Sequence, residues 1–235
     1  MVKSTFLGTF RCFKYKEDTM YEMYSIGVKS LWLVATGGFF IGVILALEVG
    51  HHLEVFGATT LIGRTVSLGL IRESGPIITG LLFAARTGAK NASEIGAMQL
   101  SEQIDALRAF GTSPVDKLVV PRTVAAVVMF LPLTLLADAF GLFGGMLISQ
   151  FTFHVDSSFY WNSVVDALRM KDLFFGFTKP LFFAFFIASI SCYFGLSTRG
   201  GTAGLGKNTI NAVVTSSVMV IVLDFIYTKI IWSLV

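Results

Sequence analysis

Two opposite charges interrupt an otherwise apolar stretch of the sequence, LGLIRESGPIITGLLFAARTG, in which Arg72 and Glu73 precede Gly75 and Pro76. A guanidinium and a carboxylate here could bind a charged headgroup, or could form structural ion pairs with another helix. They do not easily pair with each other, because adjacent helical residues point about 100° apart. Pro76 has no amide proton for the carbonyl of Arg72, so Gly75 and Pro76 predict a kink. We therefore predict a kinked helix that carries either a hydrated binding surface or structural ion pairs.

Three further carboxylates lie in or at the edge of apolar stretches, namely Glu48, Asp138 and Asp224. A charge at the centre of a bilayer costs about 2.5–3.5 kcal/mol, so each carboxylate requires a partner, water or a position near the interface. For Asp224 we predict a structural role, either as a partner of Arg72 or as a polar contact at the end of a span.

Histidine and cysteine side chains offer little for metal chemistry. His51, His52 and Glu54 are common metal ligands, but adjacent histidines do not share a helical face, and a short outer turn predicts solvated side chains. Cys12 and Cys192 are the only cysteines, so neither a disulfide framework nor a zinc cluster can be built from them. We therefore predict that the chain has no metal site.

The composition is that of an integral membrane protein. The 235 residues are 54% hydrophobic and 14% charged, with a mean hydropathy of +0.74, whereas soluble domains carry about 25% charged residues. A spanning helix needs roughly 20 apolar residues, which leaves room for several spans but not for a separate soluble enzyme domain. We predict a single all-α membrane domain over residues 1–235. The net charge of +3 is spread along the chain, which argues against a nucleic-acid partner.

Five apolar segments predict five transmembrane helices. They cover approximately Leu31 to Leu47, Leu61 to Ala85, Val124 to Ile148, Pro180 to Leu196 and Ala212 to Val235. Twelve of the 18 Lys and Arg residues lie before the first segment, in the 86–122 connection or in the 197–209 loop. The positive-inside rule therefore predicts that these regions and the N-terminus are cytoplasmic, and that the C-terminus faces outward.

Two segments outside these spans are predicted to form helices at the membrane interface. Residues 5–24 place Phe6, Phe10 and Phe13 at helical spacing among basic residues, which is typical of an interfacial helix. A loosely ordered basic tail is the alternative. The outer connection, residues 152–179, mixes aromatic and polar residues and predicts a second short interfacial helix. Its aromatic residues need no binding function.

The longest polar connection contains a predicted amphipathic helix over residues 93–111. Ser93 can cap its start, and Gly111 with Pro114 supplies its end. Apolar residues recur at helical spacing along one face, which either packs on the protein's own helices or docks a separate ATPase. The residues expected at such a coupling surface are Glu94, Ile95, Met98, Glu102, Gln103, Leu107 and Arg108.

A long series of residues at fixed spacings supports a family assignment. It comprises Arg72, Glu73, Gly75 and Pro76 with LLFAARTG after them, then Glu94, Ile95, Gly96, Met98, Glu102, Gln103, Ala106, Leu107, Gly111, Pro114, Pro121 and Arg122, and finally SSVMVIVLDFIYT with Asp224. Over residues 31–235 the sequence resembles the MlaE/YrbE family of permeases, the membrane subunits of MCE-type ABC transporters of lipids.

The resemblance implies a homodimer in the bacterial inner membrane, in which each chain has five transmembrane helices after an interfacial helix. It implies two copies of a cytoplasmic ABC ATPase docked on the helix after span two, with a small STAS-domain subunit on the ATPase. It also implies an MCE-domain protein on the periplasmic face that exchanges phospholipid with this chain and supports outer-membrane lipid asymmetry. ATP would be used by the partner, so this chain is expected to bind no cofactor and to catalyse no reaction.

A glycine-rich loop, STRGGTAGLGKNT at residues 197–209, resembles a phosphate cradle only superficially. No predicted strand precedes it, and it lacks the Lys-Ser/Thr ending of the GxxxxGK[ST] phosphate loop, which occurs nowhere in the sequence. We therefore predict a flexible cytoplasmic turn without a nucleotide site.

Lipid tails would require an apolar wall beside the charges of span two. The predicted lining residues are Leu70, Ile77, Ile78, Leu81, Val43, Leu47, Val218 and Val222. Each of these side chains could instead pack within the protein or face lipid. The prediction is a cavity between two subunits, with Glu73 facing the cavity and Arg72 in support.

Two other classes of function stay open. An ion-coupled secondary transporter of a lipid or amphiphile would use Glu73 and Asp224 as proton sites. An intramembrane protease would need a Ser/His pair or paired aspartates within the spans. His154 is the only histidine outside the 51/52 pair, and no Gly-x-Ser-x-Gly motif is present. The protease is therefore the weakest of the three interpretations.

Overall fold

A computed structural model of the chain describes residues 15–234, which form helices joined by short turns, with no strand among them. The α-helices are α1 (Lys16–Gly27), α2 (Leu31–Val55), α3 (Ile62–Gly69), α4 (Gly75–Phe83), α5 (Ala89–Leu100), α6 (Gln103–Ala109), α7 (Val120–Phe151), α8 (Ser157–Ala167), α9 (Met170–Leu196) and α10 (Gly201–Leu234). The helical stretches long and apolar enough to cross a membrane are Lys16–Val55, Thr59–Leu100, Val115–Phe151, Met170–Leu196 and Gly201–Ile231. The predicted all-α membrane fold with five spans is confirmed.

Span two contains two wide helical turns. The backbone forms π-helical turns at Leu70–Ser74, between α3 and α4, and at Ala84–Gly88, between α4 and α5. Such turns frequently occur at functional sites of helices. The first π-turn ends two residues before Pro76, so the position at which the sequence predicts a kink has an irregular helix.

The coupling segment differs from the predicted single helix over residues 93–111. Helix α5 runs without a break from the end of span two to Leu100, and inside it Ser93 Oγ donates to Lys90 O at 3.0 Å. Ser93 is therefore not a cap, because its hydroxyl bonds back to the preceding helical turn. The chain turns only at Ser101 and Glu102, where Glu102 has a φ of 59°, and α6 follows.

The N-terminal prediction falls partly outside the described residues, since residues 5–14 lie before them. In the described part, α1 continues past the predicted end at residue 24 to Gly27. A single 3₁₀ turn, Val28–Ser30, then leads directly into α2. The segment before span one is therefore continuous with that span and does not end ahead of it.

Two spans begin earlier than predicted. Helix α9 begins at Met170, ten residues before the predicted start at Pro180, because the charged residues of this segment find partners on span two. Helix α10 begins at Gly201, so most of the predicted glycine-rich loop is helical. The turn itself is short and uses Gly200 and Gly201, whose φ angles are 85° and 68°. Glycine adopts this left-handed backbone without the steric cost of a side chain.

The two segments that were predicted to face outward also contain more helix than predicted. His51 and His52 lie in the last turns of α2 and not in a loop, and His52 Nε2 is 3.5 Å from Glu48 Oε1 on the exposed helix surface. The interfacial helix predicted within residues 152–179 corresponds to α8. Asp156 caps this helix by accepting a hydrogen bond from Ser158 N at 3.0 Å.

The described chain divides into two compact units. The first comprises residues 15–30, Gly80–Phe130 and 181–234, and the second comprises Leu31–Thr79 and Leu131–Pro180. In the second unit, α2 and α7 approach closely through small residues. A Cβ on Gly38 would lie 2.6 Å from Ala137 Cα, so only glycine fits there. Such contacts let membrane helices pack backbone to backbone.

Each unit has its own apolar core. In the second unit, Leu70 and Ile71 are buried against Leu142 of α7 and against Tyr160 and Val164 of α8. In the first unit, a buried cluster joins α5, α6, the π-turn Val115–Val119 and α9 through Ile95, Ile104, Val119 and Cys192. The core of the second unit holds the charged π-turn of span two in position, and the core of the first unit holds the predicted coupling segment.

Candidate substrate site and predicted coupling segment

A buried lysine of α9 completes the polar part of span two. Pro76 supplies no amide hydrogen bond to the carbonyl of Arg72, and Lys179 Nζ donates to this oxygen at 2.9 Å. The same ammonium lies 2.7 Å from Glu73 Oε2. Lys179 therefore binds both the backbone that the proline disturbs and the carboxylate beside it.

Arg72 forms a second ion pair with α9. Its Nε donates to Asp172 Oδ1 at 2.8 Å, and Nη2 contacts the same oxygen. The other oxygen, Asp172 Oδ2, accepts from Arg169 N at 3.1 Å. Asp172 and Lys179 are seven residues apart, so they share one face of α9. We call Arg72, Glu73, Asp172 and Lys179 the span cluster.

The two sides of the span cluster differ in exposure. The side chains of Asp172 and Lys179 are each 2% exposed, whereas those of Arg72 and Glu73 are 38% and 39% exposed. Arg72 lies ten residues after the start of α3 at Ile62, which is ~15 Å along a helix axis. Helix α9 thus contributes the buried partners, and span two presents one cation and one anion at the protein surface.

Arg72 and Glu73 were predicted as site residues, whereas Asp172 and Lys179, which pair with them, were not. Asp172 and Lys179 belong to a stretch that was assigned to the outer connection, and the carboxylate that contacts Arg72 is Asp172. Asp224, which was predicted either as a partner of Arg72 or as a polar contact at the end of a span, is a buried residue of α10. The available signal was an acid and a base seven residues apart, which places them on one helical face if the helix extends back to Met170.

Gly75, for which the sequence predicts a structural role, lies against a carboxylate of α7. Asp138 of α7 is buried, and a Cβ on Gly75 would collide with its Oδ1. A larger residue at position 75 would therefore require the buried side chain of Asp138 to move. Pro76 is also buried, so both residues shape the backbone of the candidate site from within.

The predicted apolar lining residues are distributed over both units. Leu70, Ile77, Ile78, Val43 and Leu47 belong to the second unit, and Leu81, Val218 and Val222 belong to the first. Leu70 is completely buried in the core of its unit, which differs from the predicted lining role. Leu47, Val218 and Val222 are exposed, and the others are partly exposed.

A second set of charges lies at the predicted coupling segment. Glu22 of α1 accepts from Arg122 Nε at 3.0 Å and from Lys90 Nζ at 2.8 Å. Arg122 of α7 also donates to Glu94 of α5 through Nη2 at 2.8 Å, and Lys90 Nζ lies 3.8 Å from Glu94 Oε1. We call Glu22, Lys90, Glu94 and Arg122 the junction cluster. It joins α1, α5 and the start of α7 within the first unit.

Part of the predicted coupling surface therefore faces inward. Ile95 is fully buried together with Ile104, whereas Glu94 is bound to Arg122 but keeps 43% of its side chain exposed. For Ile95 and Ile104 the structure agrees with the alternative that the apolar stripe packs on the protein's own helices. Met98 and Leu107 are partly exposed.

The outward part of the coupling segment lies around α6. Glu102, Gln103 and Arg108 are exposed there, as the sequence analysis expected of a docking surface. Phe110, which it did not name, is 85% exposed directly after α6. A large aromatic residue in this position is a typical anchor for a protein partner. Phe110 follows the last helical turn of α6, so the helical period of apolar residues did not point to it.

Comparison with known proteins adds independent information. The sequence model of the family described as Permease MlaE matches residues 19–230. A Synechocystis protein named "Probable ABC transporter permease protein" is 37% identical over 89% of this chain and 80% of its own length. The Haemophilus influenzae protein named "Intermembrane phospholipid transport system permease protein MlaE" is 35% identical over 90% of this chain and 82% of its own length.

A plant protein is also similar. The Arabidopsis thaliana chloroplast protein TRIGALACTOSYLDIACYLGLYCEROL 1 is 32% identical over 90% of this chain, although the match covers 61% of the plant protein's own length. The family match includes the span cluster, the junction cluster and the exposed end of α6, since all of these residues lie between positions 19 and 230.

Proposed function

We propose that this chain, which belongs to the MlaE permease family, is the membrane subunit of an ABC transporter for phospholipid. It moves phospholipid between the bacterial inner membrane and an MCE-domain partner, and so supports the lipid asymmetry of the outer membrane. A separate ATPase hydrolyses ATP, so this chain contributes the lipid path and no catalytic group.

The span cluster is the observation that carries the proposal. Arg72 and Glu73 keep almost two fifths of their side chains exposed within a stretch that is apolar enough to cross a membrane. Exposed charges at this depth are costly against lipid tails, unless they face water or a polar group of a ligand. A phospholipid headgroup supplies such groups while its tails lie against apolar span residues.

The proposed assembly is the one that the resemblance to this family implies. Two copies of the chain form a homodimer, and each binds one ABC ATPase on the exposed side of α6, with a small STAS-domain subunit on the ATPase. The MCE-domain partner lies on the periplasmic face, as does the C-terminus, while α1 and the N-terminus are cytoplasmic. The excess of Lys and Arg in the predicted cytoplasmic regions supports this orientation.

Transport by the reconstituted complex tests the proposed function. We expect the extracted chain to bring down an ATPase, and the complex in liposomes to move labelled phospholipid only when ATP is hydrolysed. Movement without ATP that responds to a proton gradient would instead support the ion-coupled transporter. Glu73, the carboxylate that the ion-coupled transporter would use, lies 2.7 Å from the ammonium of Lys179.

Replacement of the exposed aromatic residue tests the docking surface. Phe110→Ala should weaken ATPase association by about tenfold or more, because buried aromatic anchors typically contribute about 2 kcal/mol to an interface. The matched control is Phe56→Ala, which removes a phenylalanine that is 83% exposed in the turn directly after α2. Association is measured by titrating the purified ATPase. Equal loss in both variants, or no loss in either, would contradict docking at Phe110.

A further inference from the structure

The span cluster contains equal numbers of cations and anions. Arg72 is paired with Asp172, and Lys179 is paired with Glu73, so the four groups carry no net charge when all are ionised. The two exposed members, Arg72 and Glu73, have opposite signs. Any ligand at this surface therefore meets one positive and one negative group that already have buried counter-charges.

Net neutrality has a consequence for ligand charge. Ion pairs interact strongly at low dielectric, and a charge moved from water into such a site needs a compensating charge there. A net-anionic headgroup would bring an uncompensated negative charge beside Glu73. A headgroup with one negative and one positive group could place each against its opposite and leave the total charge unchanged.

We propose that the span cluster selects zwitterionic phospholipid headgroups, which carry a phosphate and an ammonium, over net-anionic headgroups. The inference rests on the proposed function, since it concerns the lipid at the same site. Arg72 uses Nε and Nη2 for Asp172, and a guanidinium has five N–H donors, so further donors remain for a phosphate. The headgroup ammonium lies against the exposed part of the Glu73 carboxylate.

Competition between two lipids measures this selectivity. The full-length chain in detergent is mixed with vesicles that contain equal amounts of phosphatidylethanolamine and phosphatidylglycerol, and the bound lipid is quantified by mass spectrometry. We expect the zwitterionic lipid to be enriched about fivefold, the factor that corresponds to one favourable, partly exposed ion pair.

Reversal of one ion pair provides the sharper test. The double variant Glu73→Lys with Lys179→Glu keeps an ion pair at this position but makes both exposed groups positive, so the headgroup ammonium has no exposed anion and the preference for the zwitterion should be lost. The single variant Glu73→Gln removes the exposed anion with little change of shape, and it should reduce the preference for the zwitterion. Glu48→Gln is the matched control, because Glu48 has a carboxylate that is 75% exposed at the end of α2, and it should leave the preference unchanged.

The outcomes separate the inference from the proposed function. Equal binding of both lipids, preference of the wild-type chain for the anionic lipid, or a preference that Glu73→Gln and the reversed pair leave unchanged would each reject headgroup selection by the span cluster. ATP-driven lipid movement would still stand in those cases. A chain that binds neither lipid and supports no ATP-driven movement would reject the proposed function, and the inference with it.

Discussion

The span cluster and the junction cluster contain the same charges, two cations and two anions, but connect them differently. In the junction cluster, Glu22 contacts both Lys90 and Arg122, and Arg122 contacts both glutamates, so the charges are shared among three helices. The span cluster consists of two ion pairs that connect span two to α9. The shared charges of the junction cluster tie three helices together, whereas each separate pair of the span cluster joins only span two and α9.

The helices that supply the buried charges differ between the two clusters. In the junction cluster the buried side chains of Glu22 and Arg122, 9% and 8% exposed, come from α1 and α7, while Lys90 and Glu94 of α5 are 25% and 43% exposed. In the span cluster both buried charges come from α9, and both exposed charges come from span two. The buried charges of the junction cluster therefore fasten two helices to each other, whereas those of the span cluster come from one helix and support the exposed charges of another.

Loss of Arg122 should produce the largest change of stability. Arg122→Met leaves Glu22 and Glu94 with Lys90 as the cation between them, and removal of one member of a buried ion pair costs about 3–5 kcal/mol. We expect a clear decrease in the unfolding temperature of the chain in detergent. Arg108→Met is the control, because Arg108 pairs with Asp105 on an exposed surface of α6, where such pairs contribute about 0–1 kcal/mol. Similar losses in the two variants would contradict a fastening role of the junction cluster.

Loss of Lys179 should have a smaller effect on stability. In Lys179→Met the carboxylate of Glu73 loses its ion pair with Lys179 but is 39% exposed and can be hydrated, while the hydrogen bond to Arg72 O is lost. We expect a decrease of about 1–3 kcal/mol in the free energy of unfolding, the usual cost of a buried unsatisfied polar group. The control is Lys171→Met, which changes an exposed lysine of the same helix and should stay within about 0.5 kcal/mol. A loss from Lys179→Met as large as that from Arg122→Met would remove the difference between the two clusters.

The number of spans could be predicted from the sequence, because the thickness of a bilayer fixes the length of an apolar helix. The starts of α9 and α10 could not, since these ends are polar or rich in glycine. Asp172 and Lys179 are helical in a segment that reads as a loop because their charges are neutralised by span two. Residues 201–209 are helical although several of them are glycine, whose low helix propensity is only a weak prior that tertiary packing overrides.

The candidate site was predictable to the same limited extent. Arg72 and Glu73 stand out because a charge in an apolar stretch demands an explanation, but the identity of a partner 100 residues away is a property of the tertiary structure. Likewise, the apolar stripe of the coupling segment was found by its period, whereas the period alone does not say that Ile95 and Ile104 face inward. Phe110 was missed because it lies beyond the periodic segment.

The smallest effect is expected at a charge outside both clusters. Asp156 caps α8 on an exposed surface, and hydrogen bonds from the Ser158 hydroxyl and from the Phe159 and Ser158 amides lower its pKa from the ordinary value of 3.8. Because the pKa is lower in the folded state, the contribution of the ionised carboxylate to stability is complete well above pH 3.8 and is lost as the pH falls through the folded value.

Asp156→Asn therefore separates the contribution of charge from that of the cap. Asparagine is also a good N-cap, so the variant keeps an acceptor for the helix but no longer titrates. The unfolding temperature of the wild type should fall slightly more than that of the variant when the pH is lowered from 5 to 3. If the ionised carboxylate of Asp156 contributes nothing, the unfolding temperatures of the two proteins should fall by the same amount. Since no buried partner charge is involved, this difference should be smaller than those caused by Arg122→Met and Lys179→Met at neutral pH. Parallel pH profiles would mean that the ionised carboxylate adds nothing beyond the cap, and that only charges with buried partners matter for the stability of this chain.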